Sequence, residues 1–270
     1  MQPIIIVRDL WFAYEKADYI LKGVSFSITS GELIAIIGHN GSGKTTLVKH
    51  FNGLLKPTKG SVFINGIDTK QATVAELARN VGYVFQNPNH QIFADTVYEE
   101  VAFGPRNLGY DEERIHELVE SSLQATGLDG TENTPPFALS MGARERLAIA
   151  SIIAMDPKVL VFDEPTTGQD HKTCLEVMEI IRKCSREGKT IVLISHDMEL
   201  VAEWVNRVIV MADGVILLDG STREAFSKQE VLKSAKLKPP QVIQAAWKLG
   251  LQDIPLTVDE LVTIISRDLP

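Results

Sequence analysis

One octapeptide constrains this chain more than any other stretch of it. Gly38-His39-Asn40-Gly41-Ser42-Gly43-Lys44-Thr45 fits G-x-x-x-x-G-K-[ST], and it follows the apolar run Leu33–Ile37 and opens a helix-compatible segment. Each part has a physical use. Glycines let backbone N–H groups converge on phosphate oxygens, and the N-terminus of the following helix adds a favourable dipole. Lys44 reaches the β- and γ-phosphates of a nucleotide, the Thr45 hydroxyl ligates Mg²⁺, and Thr46 continues the phosphate-facing turn. A loop of this kind needs a strand before it and a helix after it.

The rest of the chain supplies such a frame. Leu33–Ile37, Val159–Phe162 and Ile191–Ile194 read as buried strands separated by helical stretches, which predicts an α/β core with a parallel sheet. Ile4–Val7, Gly23–Ile28 and Ser61–Ile64 are strand-like and punctuated by Thr29-Ser30-Gly31 and Asn65-Gly66, so an antiparallel layer is expected beside that core. Val208–Met211 and Val215–Leu218 flank Asp213-Gly214, a hairpin signal. From Gln86 to Ala154 helical signals take over. Thr96 with Glu99 makes a capping box, and Asp111–Leu123 is an amphipathic helix ending near Gly127.

The expected organisation is a nucleotide-binding domain over residues 1–225, with a helical subdomain inserted at about 87–154. A C-terminal extension over 226–270 follows. There Lys238-Pro239-Pro240 breaks the chain ahead of two short helices, the second opened by Thr257 with Glu260 three residues on.

A second constellation completes the chemistry. The apolar strand Val159–Phe162 delivers Asp163 and Glu164 at its C-terminal end, where parallel sheets place ligands. Asp163 is expected to hold Mg²⁺ through water, and Glu164 to polarise the attacking water as general base.

Upstream of this pair, Leu139-Ser140-Met141-Gly142-Ala143 resembles the LSGGQ signature of ATP-binding-cassette proteins, with Met141 and Ala143 as departures. The resemblance implies ATP as ligand. It also implies that Ser140 and the Gly142 backbone grip the γ-phosphate of the ATP held by the opposite subunit. It assigns Tyr14 to stacking on adenine, Gln86 to sensing Mg²⁺ and the attacking water, and His196 to contacting the γ-phosphate and orienting Glu164. Asp170 falls in the loop that crosses the dimer interface, where Gln169 replaces the usual Leu. His39, His50, His90, His116 and His171 read as surface or helix residues.

Composition narrows the partners. A net charge of −8 without a basic run argues against a nucleic-acid partner. Cys174 and Cys184 lack metal-ligand spacing and read as reduced thiols in a helix of a cytosolic protein. The N-terminus has no basic leader. The apolar runs are far shorter than the roughly 20 residues a bilayer span needs. Work at a membrane therefore requires a partner to hold the chain at its cytoplasmic face.

Residues Gln86 to Gly109 closely resemble the corresponding stretch in ATPases of energy-coupling factor transporters, which import vitamins and transition-metal ions, and Ile254–Leu261 resembles their C-terminal extension. This resemblance implies a second ATPase subunit, in a heterodimer or a homodimer. It also implies a membrane scaffold whose coupling helices dock near residues 86–108 and, indirectly, a substrate-binding membrane subunit. Ile92, Phe93, Val97, Tyr98, Val101 and Phe103 are expected to form the receiving groove. The alternative is a soluble ATPase of the same family acting as a switch in another complex.

Overall fold

The computed structural model of the protein describes residues 2–15 and 18–268. Alternating apolar and polar residues build the first layer. In β1 (Pro3–Phe12), Ile5, Val7 and Leu10 turn inward, and the strand pairs antiparallel with β2 (Leu21–Thr29) and β4 (Lys59–Ile64). The short β5 (Ile67–Asp68) closes the order β2-β1-β4-β5. This is the expected antiparallel layer.

The second sheet carries the site. Among the described residues its order is β10-β9-β3-β8-β7-β6. The strands β3 (Leu33–Ile37), β6 (Val81–Val84), β7 (Val159–Asp163), β8 (Thr190–Ile194) and β9 (Arg207–Ala212) run parallel. They are apolar along almost their whole length because both faces are covered. β10 (Val215–Ser221) returns antiparallel at the edge, and Asp213 and Gly214 make the tight turn with φ of 47° and 84°. Ile34, Ile36, Leu47, Val62 and Ile194 pack between the two sheets.

Eleven helices are described among these residues. α1 (Lys44–Val48) leaves the Gly-rich loop, and α2 (Val74–Ala78) follows the first layer. α3 (Val97–Leu108), α4 (Glu112–Thr126) and α5 (Met141–Ile153) form the helical subdomain around Val97, Val101, Ile115, Leu123 and Leu147. α5 belongs to two cores at once: Leu147 and Ala150 face the subdomain, whereas Ile149 packs with Phe162 and Val177 under the sheet. α6 (His171–Arg186) and α7 (Met198–Trp204) cover that face, and Cys174 and Cys184 are buried free thiols on α6. α8 (Thr222–Ser227), α9 (Gln229–Ser234), α10 (Gln241–Leu249) and α11 (Val258–Asp268) complete the chain.

Several local expectations are adjusted. Asp111 and Gly127 cap α4 as expected, but the helix runs to Thr126. At α3, Thr96 accepts the Glu99 N–H, yet the Glu99 carboxylate pairs with Arg106 instead of returning to the cap. Only half of the capping box forms. Helices α8 and α9 were not expected in the polar stretch after Gly220; Phe226 and Leu232 bury them against the same core that holds Ile243 of α10. His50 is no surface residue. Its ring is fully buried edge-on against Phe12, with Nδ1 2.7 Å from the Thr46 carbonyl, and burial lowers its pKa to about 4.

Glu145 on α5 is only 1% exposed and its Oε1 has no hydrogen-bond partner, so burial pushes its pKa up to about 8. The folded state then holds a proton that the unfolded chain releases near the ordinary value of 4.5. Stability is lost as pH rises from there through about 8. Glu145→Gln should therefore raise the melting temperature at pH 8.5 by at least about 4 °C, and by less than half as much at pH 5. Thermal unfolding followed by circular dichroism at the two pH values checks this; equal gains would contradict it.

Candidate functional site

The Gly-rich loop is held by the β9–β10 hairpin. A Cβ on Gly38 would lie 2.2 Å from the Met211 carbonyl oxygen, so only glycine permits this approach. The Gly214 N–H donates to the Ser42 carbonyl at 3.1 Å and the Ser42 N–H to the His39 carbonyl at 3.1 Å. Gly43, with φ 102°, occupies the N-cap position of α1 without a side chain, which leaves the first-turn amides open to an anion. Lys44 folds over the loop and donates to the carbonyls of Gly38 (2.8 Å) and His39 (3.1 Å). Burial lowers its pKa, against the pull of Glu164 and Asp163.

Two carboxylates meet this loop from β7, and they differ in setting. Asp163 is buried: its Oδ1 accepts from the Thr45 hydroxyl at 3.1 Å and its Oδ2 from the Tyr83 phenol at 2.6 Å. Burial raises its pKa, opposed by those two hydrogen bonds. Burial and the Asp163 charge together push the Tyr83 phenol upward, so it stays a donor. Glu164 faces the opening instead. Its Oε2 accepts from Gln86 Nε2 at 2.8 Å and Thr167 Oγ1 at 3.3 Å, and lies 3.3 Å from His196 Nδ1. The Glu164 backbone adopts φ 54°, and its N–H is held by the Ile194 carbonyl. A non-glycine residue in that region costs about 1 kcal/mol or more, tolerated here because strand ends on both sides fix it.

The structure thus brings together most of the residues singled out from the sequence. Asn40, Gly41, Gly43, Lys44, Thr45, Thr46, Gln86 and Glu164 line one cavity of about 390 Å³. Gly38, His39 and Ser42 shape the loop beneath it. Ile20 also lines it and carries no signal in sequence beyond being apolar. Tyr14 is not among the lining residues; it packs edge-on against Phe12, with 43% of its surface exposed. Ser140, Gly142 and Asp170 lie outside the cavity altogether. Ser140 caps α5 by accepting the Ala143 N–H, and Asp170 caps α6 by accepting the Thr173 N–H and hydroxyl. Those two bonds lower the Asp170 pKa. Gly142 lies where the two helix ends meet, since a Cβ there would stand 2.9 Å from Thr173.

The groups at Thr45 and Asp163 suit a magnesium ion. A hydroxyl and a buried carboxylate converge as hard oxygen donors, with Glu164 and Gln86 bonded to each other nearby. Among the described residues no cluster of three or more acidic, His or Cys side chains is poised as a metal cage. A divalent ion here would therefore complete its shell with water and phosphate oxygens, as magnesium in nucleotide sites does.

Beside the site runs a second cavity of about 460 Å³, between α2 and the α3–α5 region, lined by Arg79, Phe93, Phe103, Leu108 and Met155 among others. Phe93 and Phe103 are 60% and 48% exposed and stack edge to face at 4.7 Å. Of the six residues expected to form a groove, these two do so. Val97 and Val101 are buried in the subdomain core and Tyr98 packs against it, because α3 turns that face towards α4 and α5, and Ile92, in the loop ahead of α3, is buried in the same core. Gln91, which the sequence reading passed over, ties this region to the site. Its amide donates to the Ala148 carbonyl and the Ser151 hydroxyl and accepts from the Phe85 N–H.

A phosphate loop on β3–α1, an acidic pair at the end of the sheet and three polar side chains around one carboxylate define a P-loop nucleoside triphosphatase. The comparisons with known proteins make this particular. The ABC transporter family matches residues 21–167. The chain is 48% identical, over 98% of its length, to a Caldanaerobacter subterraneus protein described as an ABC transporter ATP-binding protein, of which it spans 46%. It is 43% identical to the energy-coupling factor transporter ATP-binding protein EcfA of Methanocaldococcus jannaschii, over 93% of this chain and 90% of that protein. The solved structure of cbiO1 from Clostridium perfringens, part of the ABC transporter complex cbiONQ, superposes with a TM-score of 0.79 at 34% identity, covering 93% of this chain and all of that one. The chain belongs to the ABC transporter family, as an ATP-binding, ATP-hydrolysing cassette.

Two substitutions probe the assignments of Lys44 and Glu164. Glu164→Gln keeps the shape of the side chain but cannot accept a proton, so ATP binding should persist while hydrolysis slows at least ~100-fold. Lys44→Ala should lose ATP binding itself. Equilibrium binding and phosphate release measured on both variants check this; a wild-type rate in the first would remove Glu164 from the role of base.

Proposed function

We propose that this chain is the ATP-hydrolysing subunit of an energy-coupling factor type importer, seated peripherally on the cytoplasmic face of the membrane and powering uptake of a vitamin or a transition-metal ion. The observation that carries this reading is the apolar groove opened by Phe93 and Phe103, which its lining residue Gln91 ties to Phe85, the residue before Gln86. Exposed aromatic pairs at the lip of a concave apolar surface suit the apolar face of a partner helix. Among the described residues no helix is long and apolar enough to cross a membrane, so the membrane part falls to partner subunits. The likeness to EcfA and cbiO1 supports the same choice.

At the site, the loop amides and Lys44 would bind the β- and γ-phosphates, and Tyr14 would stack against the adenine. Thr45 and Asp163, with Gln86 nearby, would hold Mg²⁺, which when bound neutralises charge developing on the phosphate oxygens. Glu164 then takes a proton from the attacking water as the new O–P bond forms and the bond to the leaving ADP oxygen breaks. Gln86, Thr167 and His196 orient the Glu164 carboxylate for that transfer; all three already meet its Oε2.

Ser140, Gly142 and Asp170 stand away from this cavity, at the exposed ends of α5 and α6. That arrangement favours a dimer in which they serve the ATP bound by the other subunit. ATP then favours the closed pair by binding it better than the open one. Met141 and Ala143 suggest a heterodimer whose other subunit receives this altered signature, and the 226–270 extension would help to join the two. Met141→Gly with Ala143→Gln should alter turnover only at the other subunit's site. Single-turnover assays in dimers with one general base removed read each site separately; a large change at Glu164 would overturn the assignment in trans.

The groove has its own test. Phe93→Asp with Phe103→Asp should abolish co-purification of polytopic proteins from detergent-solubilised membranes, with ATP affinity unchanged. Recovery of soluble partners alone, by the unaltered chain, would favour the rival reading of a soluble switch ATPase.

A further inference from the structure

The Asp163 carboxylate at the end of β7 is held on both of its oxygens. Its two oxygens have different partners: Thr45 Oγ1 stands 3.1 Å from Oδ1, and the Tyr83 phenol donates to Oδ2 at 2.6 Å. Both Asp163 and Tyr83 are 5% exposed, so water does not compete for the second contact. Tyr83 lies on β6 opposite Val161 of β7, and its phenol spans the two residues along the neighbouring strand to reach Asp163.

The placement of Tyr83 also links elements of the site. Its ring packs at 4.9 Å against Phe85, the residue before Gln86, and Gln86 bonds to Glu164. The same strand end thus holds both carboxylates, Asp163 through Tyr83 and Glu164 through Gln86. Beyond it, the Phe85 N–H bonds to Gln91, which lines the aromatic groove.

We propose that Tyr83 is a positioning residue for the magnesium of the bound nucleotide. By occupying Oδ2 it fixes the rotation of the Asp163 carboxylate and keeps Oδ1 turned towards Thr45 and the phosphate loop. This rests on reading Thr45 and Asp163 as the residues that hold the metal. A tyrosine that merely fills the strand would be replaced by phenylalanine without consequence for the metal, because the ring is retained. Loss of the phenol oxygen alone leaves a buried carboxylate oxygen unpaired and free to turn.

The test compares the affinity of the full chain for the non-hydrolysable ATP analogue AMP-PNP in Mg²⁺ and in EDTA, by calorimetry. In Tyr83→Phe the Mg²⁺ advantage should fall about tenfold, a common cost of losing a buried bond to a charged group. The affinity in EDTA should stay within about twofold. An unchanged advantage overturns the proposal, and so does an equal loss in both buffers, which is what a packing role predicts. Incorporation of 3,5-difluorotyrosine at 83 keeps the fold and strengthens the donor; it should shift the Mg²⁺ advantage at least twofold, and no shift overturns the proposal even if Tyr83→Phe fails to fold. A wild-type chain without any Mg²⁺ advantage would refute the metal reading of Thr45 and Asp163, a result distinct from a defect confined to the Tyr83 variants.

Discussion

Two consecutive carboxylates at the end of β7 point into different surroundings, and the left-handed turn at Glu164 aims the second of them into the cavity. Asp163 completes the strand and stays in the interior, bonded to Thr45 and Tyr83. Glu164, at φ 54°, swings into the open cavity where Gln86, Thr167 and His196 converge on one of its oxygens. Had the strand simply continued, alternation would have sent Glu164 to the opposite face. The cost of the turn is repaid by neighbours: the Glu164 N–H is held by Ile194 of β8, and the Thr167 N–H bonds back to the Glu164 carbonyl. One carboxylate is thereby shut into the strand interior while the other lines the cavity, so the two adjacent acids have separate environments.

The phosphate loop obeys the same economy of space. At Gly38 the hairpin behind the loop sets the residue type, since a Cβ there would strike the Met211 carbonyl, and the same hairpin holds the loop by the Gly214 bond to Ser42. That hairpin was legible because Asp213-Gly214 encodes its turn within two residues. The loop, the strand before it and the acidic pair were legible for a related reason: contiguous backbone carries their function. Residues joined by strand pairing were not. Tyr83 and Asp163 are far apart in the chain, and only the adjacency of β6 and β7 brings them together. A tyrosine in the run Val81-Gly82-Tyr83-Val84 looks like another apolar strand residue until its neighbour is known.

Helix faces set a second limit on what could be read. Val97, Val101 and Phe103 of α3 share one apolar character in sequence, yet the first two turn to α4 and α5 while Phe103 joins Phe93 in the groove. Periodicity shows that a helix has an apolar face, and two bodies can compete for that face. His50 and Glu145 illustrate the converse. Both are polar residues that the fold buries, although His50 reads from the sequence as a surface or helix residue and Glu145 carries no signal there.

Helix α5 connects these themes. Its N-terminus carries Ser140 and Gly142, its middle is packed into both the subdomain and the main core, and its Ala148 carbonyl and Ser151 hydroxyl receive Gln91 from the groove. A helix packed on two sides moves as a rigid rod, because interiors at crystal-like density transmit displacement instead of absorbing it. A partner helix pressing on Phe93 and Phe103 would therefore act on α5 through Gln91, and through α5 on Ser140 at the far end. It would act on Gln86 and Glu164 through the strand end that Gln91 holds at Phe85. Under that reading the groove addresses both halves of the chemistry with one contact: the base in this chain's own cavity and the signature lent to the other. Direct coupling by distance alone would require two separate paths, whereas the hydrogen bonds of Gln91 provide a common origin for both.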